Sequence, residues 1–277
     1  MTCADCSNSQ APHGLGGLLL ALNGADERLQ LALGRLDADG GAEFLAAQEW
    51  NVPGQSVRFL APGVRQLLDG LGLGAGEIRR IACVHGPGSF TGLRMSLALA
   101  EGLAAGLAAG SSDGKGALLA GIGHLELLAS EAAETCPGAV LALAWSRRGQ
   151  VYAQAFQGTS ALIPPQVVHL NELPAFLATL PRPLFVLGGG LRRNLPVFEE
   201  LAANDPSLRL LHRDWDAPRP QTLLSLAARA HFGSGPLEPV YLRASDAEDN
   251  LAAIAAGRGL TQSEAQAILS RGSRTLS

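Results

Sequence analysis

The sequence predicts an α/β protein made of two related domains, each a mixed sheet flanked by helices. Short apolar runs of strand length alternate with stretches whose apolar residues recur at helical spacing. Two segments, LLLALNGADERLQLAL and VLALAWSRRGQVYAQAF, share one plan of buried strand, polar turn and second strand, so the second half repeats the theme of the first. A polar stretch over 110–116, GSSDGKG, breaks the chain between them. The expected divisions are a disordered tail over 1–16, a first domain over 17–112, a second over 113–235 and a C-terminal segment over 236–277.

The first ordered element begins at Gly17, where LLLAL is a short, fully buried strand. A turn over 23–26 rich in Asn, Gly and Asp leads into LQLALGRL, which closes a hairpin, and a third strand is expected over 42–50. After Pro53, the residues Val57, Leu60, Val64, Leu67, Leu68 and Leu71 recur at helical spacing, with Pro62 and Gly63 bending or delaying that helix. A strand over 81–84 runs directly into HGPGSFTGLR, and a helix crowded with Ala and Gly follows over 93–107. Ala98, Gly102, Ala105 and Gly106 add little bulk there. Each Gly weakens the helix by ~1 kcal/mol relative to Ala but lets another backbone come close. A tightly packed internal helix and an oligomer interface both fit that composition. In the second half Trp145 falls where Asn23 falls in the first. Beyond it come a strand near 167–170, a helix near 173–180, a strand over 184–187 ending in Gly188, Gly189 and Gly190, and a helix over 221–232.

Composition bounds the functions. With 47% hydrophobic and 17% charged residues in 277, there is ample material for a buried core. The longest apolar stretches are broken by Gly, Arg or Asp before the roughly 18 to 20 residues a bilayer demands, so no spanning helix and no membrane partner is expected. The first 16 residues lack the basic start and apolar block of a secretory signal, which points to the cytoplasm. Cys83 and Cys136 lie in or beside apolar segments and read as buried thiols without disulfides. Net charge is −4, and among 21 basic residues Lys115 is the one lysine, the arginines being scattered. Gripping a phosphate backbone requires a concentrated basic footprint, so any RNA is expected to be held by another protein.

The segment Gly86, Pro87, Gly88, Ser89, Phe90, Thr91 and Gly92 joins a buried strand to a helix, where backbone amides can receive an anion. A P-loop would follow the last Gly with Lys and Ser or Thr, whereas Leu93 and Arg94 stand there. A nucleophile elbow would place Gly two residues either side of Ser89, whereas Pro87 and Thr91 stand there. What remains is a rigid structural turn: glycines free in conformation, a proline fixing one dihedral, and Ser89 or Thr91 to cap the helix. Cys3 and Cys6 have the spacing of zinc ligands, but only His13 lies near them, so no metal is expected. The histidines show no HExxH spacing, and His85 reads as a turn residue. Gly188 to Gly190 either approaches a nucleotide closely or merely turns the chain.

The run HGPGSFTGLRMSLALAEGLAAGL resembles the signature of the TsaB (YeaZ) family. GIGHLELLA, RRGQVYAQAF and EPVYLR, the last carrying Pro239, Tyr241 and Arg243, agree with that family in order and spacing. The resemblance covers about 17–247. It implies two actin-like (RNase H-like) domains and a part in making threonylcarbamoyladenosine on tRNA. It further implies a non-catalytic subunit that binds the homologous catalytic protein TsaD and activates it for threonylcarbamoyl transfer to the adenosine beside the anticodon. The ATPase TsaE joins that complex, and tRNA is reached indirectly through TsaD. No cofactor is expected on this chain alone; a nucleotide at the interface of the complex is left open. In the family, pairing uses the helices that correspond here to 56–71 and 92–107, which gives Leu60, Val64, Leu67, Leu93, Arg94, Leu97, Ala100 and Ala104 as the expected partner interface. A homodimer through the same helices is an open alternative.

Two departures from the family pattern bear on function. Family members often carry Asp at the end of each duplicated first strand, where this chain has Asn23 and Trp145. Neither is an anionic magnesium ligand, which argues against autonomous ATP hydrolysis. The family also tends to place His near the start of the first interface helix, where Gln55, Ser56 and Val57 stand. The competing reading is an enzyme acting on its own, an actin-like kinase of a small metabolite or a peptidase.

Overall fold

The computed structural model describes residues 16–112, 114–242, 255 and 261. Among them, one compact unit ends at Val240 and a second begins at Tyr241, in which Ala255 is buried. The fold below is that of the first unit.

Two sheets organise it. In the first, β1 (Leu18–Asn23), β2 (Arg28–Leu36) and β3 (Ala42–Asn51) form an antiparallel meander, with α1 (Leu60–Leu71) following β3. β4 (Ile78–Gly86) then lies parallel to β1 on its other side. After α2 (Phe90–Gly110), β5 (Leu118–Gly123) lies parallel to β4, giving the order β3-β2-β1-β4-β5. α3 (His124–Thr135) leads to the second sheet. There β6 (Ala139–Arg147) and β7 (Gln150–Gln157) form the hairpin, and β8 (Ser160–Ala161) and β9 (Gln166–His169) both pair antiparallel with β7. α4 (Leu173–Ala178) precedes β10 (Leu184–Leu187), which is parallel to β6. After α5 (Gly189–Arg193) and α6 (Leu195–Asn204), β11 (Leu208–Leu210) pairs parallel with β10, and α7 (Pro220–Ala228) closes the series. The lanes β9-β7-β6-β10-β11 therefore repeat β3-β2-β1-β4-β5 in order and direction. The duplication read from the two hairpins extends to the whole of each sheet.

The continuous apolar run of β1 has a physical cause. Leu18, Leu20 and Leu22 face a core with α1 and α2, while Leu19 and Ala21 face another with Leu223, Leu224 and Ala227 of α7 and Leu127 of α3. A strand buried on both faces has no polar alternation to show. The second sheet packs Leu141, Leu143 and Val186 against Leu173, Leu177 and Phe198 of its own helices. Pro62 does not break α1. A 3-10 turn over Ser56–Arg58 precedes it, so Pro62 sits in the first turn, where a missing N–H costs nothing. Gly63 is needed by packing, since a Cβ there would lie 2.6 Å from the Trp50 ring.

Two expectations require correction. The polar break over 110–116 does not end the first lobe: β5 lies beyond it and adds to the first sheet, and α7 packs on β1, β2 and β3. A parallel neighbour to β4 demands a crossover, and α2 is that crossover. α2 itself also begins earlier and ends later than 93–107. At 21 residues and a mean hydropathy of 1.2, it is the one helix among the described residues long and apolar enough to cross a membrane. Its Leu93, Leu97 and Ala100 are spent on the first lobe's own core.

Glu131 ties α3 to α7. Its carboxylate accepts from the Arg219 backbone N–H at 2.9 Å, from Arg219 Nε at 2.8 Å, and from the Thr222 hydroxyl. Burial pushes the Glu131 carboxyl up, but these donors and the Arg219 charge outweigh it, and the group titrates below its ordinary range. A carboxylate with a depressed pKa contributes stability above its unfolded pKa and loses it as pH falls through the folded one. Glu131→Gln is therefore expected to lower stability by about 1–2 kcal/mol at pH 7. In urea titrations across pH, the gap to the parent protein should shrink below about pH 4.

Candidate functional site

The site grows from two turns of the first lobe. β1 ends at Asn23, which is buried. Its Oδ1 accepts from the Ala25 N–H at 3.1 Å and its Nδ2 donates to Gln30 Oε1 at 2.7 Å. Gln30 Nε2 in turn donates to Glu49 Oε1 and to the Pro218 carbonyl, both at 2.6 Å. At the end of β1, where the family resemblance led us to look for Asp, this chain has an amide that shapes the β1–β2 turn.

That turn is pressed into the Gly86–Gly92 turn at the end of β4. Ser89 N–H donates to the Ala25 carbonyl at 2.7 Å. A Cβ on Gly88 would stand 2.3 Å from the Ala25 oxygen, and one on Gly92 would stand 2.0 Å from the Gly24 oxygen. Ser89 is the helix cap, its Oγ accepting from Gly92 N–H at 3.3 Å. The amides of Ser89 and Gly92 are thus both committed within the chain. His124, buried at the start of α3, donates from Nδ1 to the Pro87 carbonyl at 2.8 Å. Phe90 and Thr91 are exposed, and the Arg94 guanidinium lies 3.9 Å from the Phe90 ring centroid.

The C-terminal motif meets the same turn. Val240 N–H donates to the His85 carbonyl at 2.8 Å and His85 Nδ1 donates to the Glu238 carbonyl at 3.2 Å, which brings Pro239 between them. Gly86 has φ of 126°, and a Cβ on it would lie 2.7 Å from the Val240 oxygen. Tyr241 is exposed, and Arg243 lies outside the described residues.

In the second lobe Gly188, with φ of 105°, ends β10 in the corresponding place. Its N–H donates to Asp216 Oδ1 at 3.0 Å, and Asp216 Oδ2 accepts from Arg192 Nε at 2.5 Å. Gly190 packs on the Ala144 carbonyl and Gly189 on the Asp26 carboxylate, within 2.8 and 2.6 Å of a Cβ position. Of the two readings of these glycines, nucleotide approach or chain turn, the geometry shows a turn that approaches this chain's own backbone and acids. Among the described residues no three His, Cys, Asp or Glu side chains gather to hold a metal; Cys3, Cys6 and His13 lie outside them.

The expected interface residues divide. Leu60, Val64, Leu67, Leu93, Leu97 and Ala100 are buried in the chain's own cores and cannot meet a partner without unfolding it. Helical periodicity marks the face a helix gives to its sheet, and here that face is already used. Arg94 is exposed and Ala104 half-buried. The outward stripe of α2 is Arg94, Ala98, Gly102, Ala105 and Ala109.

Two lobes built on one repeated five-lane sheet, with the hairpin turns and glycine turns meeting between them, define the actin-like fold. A family model described as TsaD, tRNA N6-adenosine threonylcarbamoyltransferase, matches residues 55–174. The tRNA threonylcarbamoyladenosine biosynthesis protein TsaB of Bacillus subtilis (strain 168) is 28% identical over 239 residues, 83% of this chain and 96% of its own. Two solved Pseudomonas aeruginosa structures each cover 82% of this chain and 100% of theirs. One, described as similar to the peptidase YeaZ, has 25% identity and a TM-score of 0.61; the other, YeaZ, has 24% and 0.57. The chain is thus similar to TsaB and YeaZ proteins over more than four fifths of its length.

The close approach of the turns sets a test. Gly92→Ala should destabilise the protein by about 1–3 kcal/mol, because a backbone oxygen must move. Gly106→Ala, on the same helix with nothing within 4 Å, should stabilise it by up to about 1 kcal/mol. Chemical denaturation of both variants reads the contrast. His124 sets a second test. Desolvation pushes its pKa down against the pull of Asp26 and the Pro87 bond, so the folded ring stays neutral. A base with a depressed pKa withdraws stability as pH falls below its unfolded value of about 6.5. Stability is expected to decline from pH 7 to 5 in the parent protein and to decline less in His124→Gln.

Proposed function

We propose that this chain is a non-catalytic subunit in the synthesis of threonylcarbamoyladenosine on tRNA, binding a TsaD homologue and activating it for transfer to the adenosine beside the anticodon. The observation that carries the reading is the occupied cleft. The positions from which an actin-like enzyme would hold metal and phosphate bear Asn23 and Trp145, and the amides of Ser89 and Gly188 are given to Ala25 and Asp216. Such a lobe pair offers a surface rather than an active site. The surface is the outward stripe of α2, where Ala98, Gly102 and Ala105 permit a partner helix to approach closely. The partners are the TsaD homologue and a TsaE-type ATPase in the cytoplasm, with tRNA held by TsaD, no cofactor on this chain alone, and a homodimer through the same stripe as the competing assembly. The peptidase reading attached to one Pseudomonas relative needs a nucleophile or a metal-ligand cluster, and among the described residues no metal-ligand cluster is found.

The test is co-purification with the TsaD homologue from the same source, followed by threonylcarbamoyl transfer with and without this chain. A stable complex and dependence of transfer on it are expected; absence of a complex together with ATP turnover by this chain alone would overturn the reading. Gly102→Arg and Ala98→Glu, on the exposed stripe, are expected to lower pairing at least tenfold with thermal stability near that of the parent. Ala100→Arg or Leu97→Glu would not serve, since both side chains are buried and the variants would lose the fold.

A further inference from the structure

We propose that Arg193 is a clasp across the rim of the cleft, seated on Trp145 of its own lobe and catching Glu27 of the other. Arg193 closes α5 directly after the Gly188–Gly190 turn. Its guanidinium lies 5.0 Å from the centroid of the Trp145 ring on β6 and pairs with the Glu27 carboxylate, which ends the β1–β2 turn. The neighbouring contact is made possible by a missing side chain. Gly189 lets the start of α5 come against Asp26, whose carboxylate would be 2.6 Å from a Cβ at that position. Two consecutive acids of the first lobe thus meet two positions of the second within five residues of chain.

The seat explains Trp145. An indole face attracts a guanidinium held over it, and the ring fixes where the fork of the arginine points. At a place where Asp would compete for the arginine's charge, Trp leaves that charge free to reach across to Glu27. The rest of the joint between the lobes is of another kind. α3 packs against β4 and β5 on one side and β6 and β7 on the other, and its buried core does not respond to salt. The clasp does, because Arg193 and Glu27 are 45% and 46% exposed. A weak, screened pair at the rim of a lobe joint held elsewhere by apolar packing is a releasable closure. The inference is independent of the proposed partner.

The experiment uses the full chain with Trp50→Phe and Trp215→Phe, which leaves Trp145 as the one tryptophan of three, and follows acrylamide quenching of its fluorescence. Glu27→Gln, a change on the opposite lobe, is expected to raise the quenching constant by about twofold, the scale set by the loss of one exposed pair. Raising NaCl to about 1 M should bring the parent to the Glu27→Gln level and leave Glu27→Gln unmoved, since screening removes the same pair. Arg193→Lys should fall between the parent and Arg193→Ala. If Glu27→Gln and salt leave quenching unchanged while Arg193→Ala raises it, Arg193 only shields the tryptophan of its own lobe and the clasp is overturned. If Arg193→Ala also has no effect, the seat is overturned with it.

Discussion

The structure turns on one backbone contact, the Ser89 N–H donating to the carbonyl of Ala25. It can form only because Gly88 and Gly92 carry no side chains, so that the β1–β2 turn lies directly on the start of α2. Everything at the centre of the first lobe is arranged around it. Asn23 bends the turn so that Ala25 presents its oxygen, Ser89 caps α2 once its own amide has been taken, and His124 fixes the Pro87 carbonyl from behind. The amides of Ser89 and Gly92 are thereby directed within the chain and withdrawn from an external anion.

The second lobe reaches the same end by another chemistry. Its hairpin, parallel neighbour and glycine turn repeat those of the first, yet the amide at Gly188 is met by the side chain of Asp216, held in place by Arg192. One lobe satisfies its turn with backbone and the other with a carboxylate. In each lobe the amide of the glycine turn is satisfied from within that lobe. The C-terminal motif belongs to the same arrangement. Val240 N–H donates to the His85 carbonyl, the His85 ring donates to the Glu238 carbonyl, and Glu101 of α2 accepts from the Leu237 N–H at 2.9 Å, so the last part of the unit is laid over the glycine turn.

Much of this was legible in the residues. The hairpins, the strand over Leu184–Leu187 and a helix cap at Ser89 or Thr91, which the structure gives to Ser89, followed from apolar runs and turn chemistry, which are local. β5 was missed because LLAGIG is short and divided by Gly, and α7 could not be placed on the first sheet because nothing local says which sheet a helix will cover. The network from Asn23 through Gln30 to Pro218 joins positions far apart in the chain and has no sequence pattern. Leu60, Val64 and Leu67 were expected at a partner interface from the family resemblance, but they lie at the helical spacing that marks a core face and are buried in the core.

The better signal for an outward surface was the one first read as ambiguous, the small residues of α2. A Gly in the middle of a helix costs stability, and among the described residues nothing lies within 4 Å of where a Cβ would be on Gly102 and Gly106, so no packing there requires them. Gly88 and Gly92, by contrast, are demanded by contacts with Ala25 and Gly24. Glycine therefore stands in two settings along this segment: at its start it admits the chain's own backbone, and further along it faces open space. The surface proposed above for a partner rests on that second kind, because the buried leucines are already packed in the core.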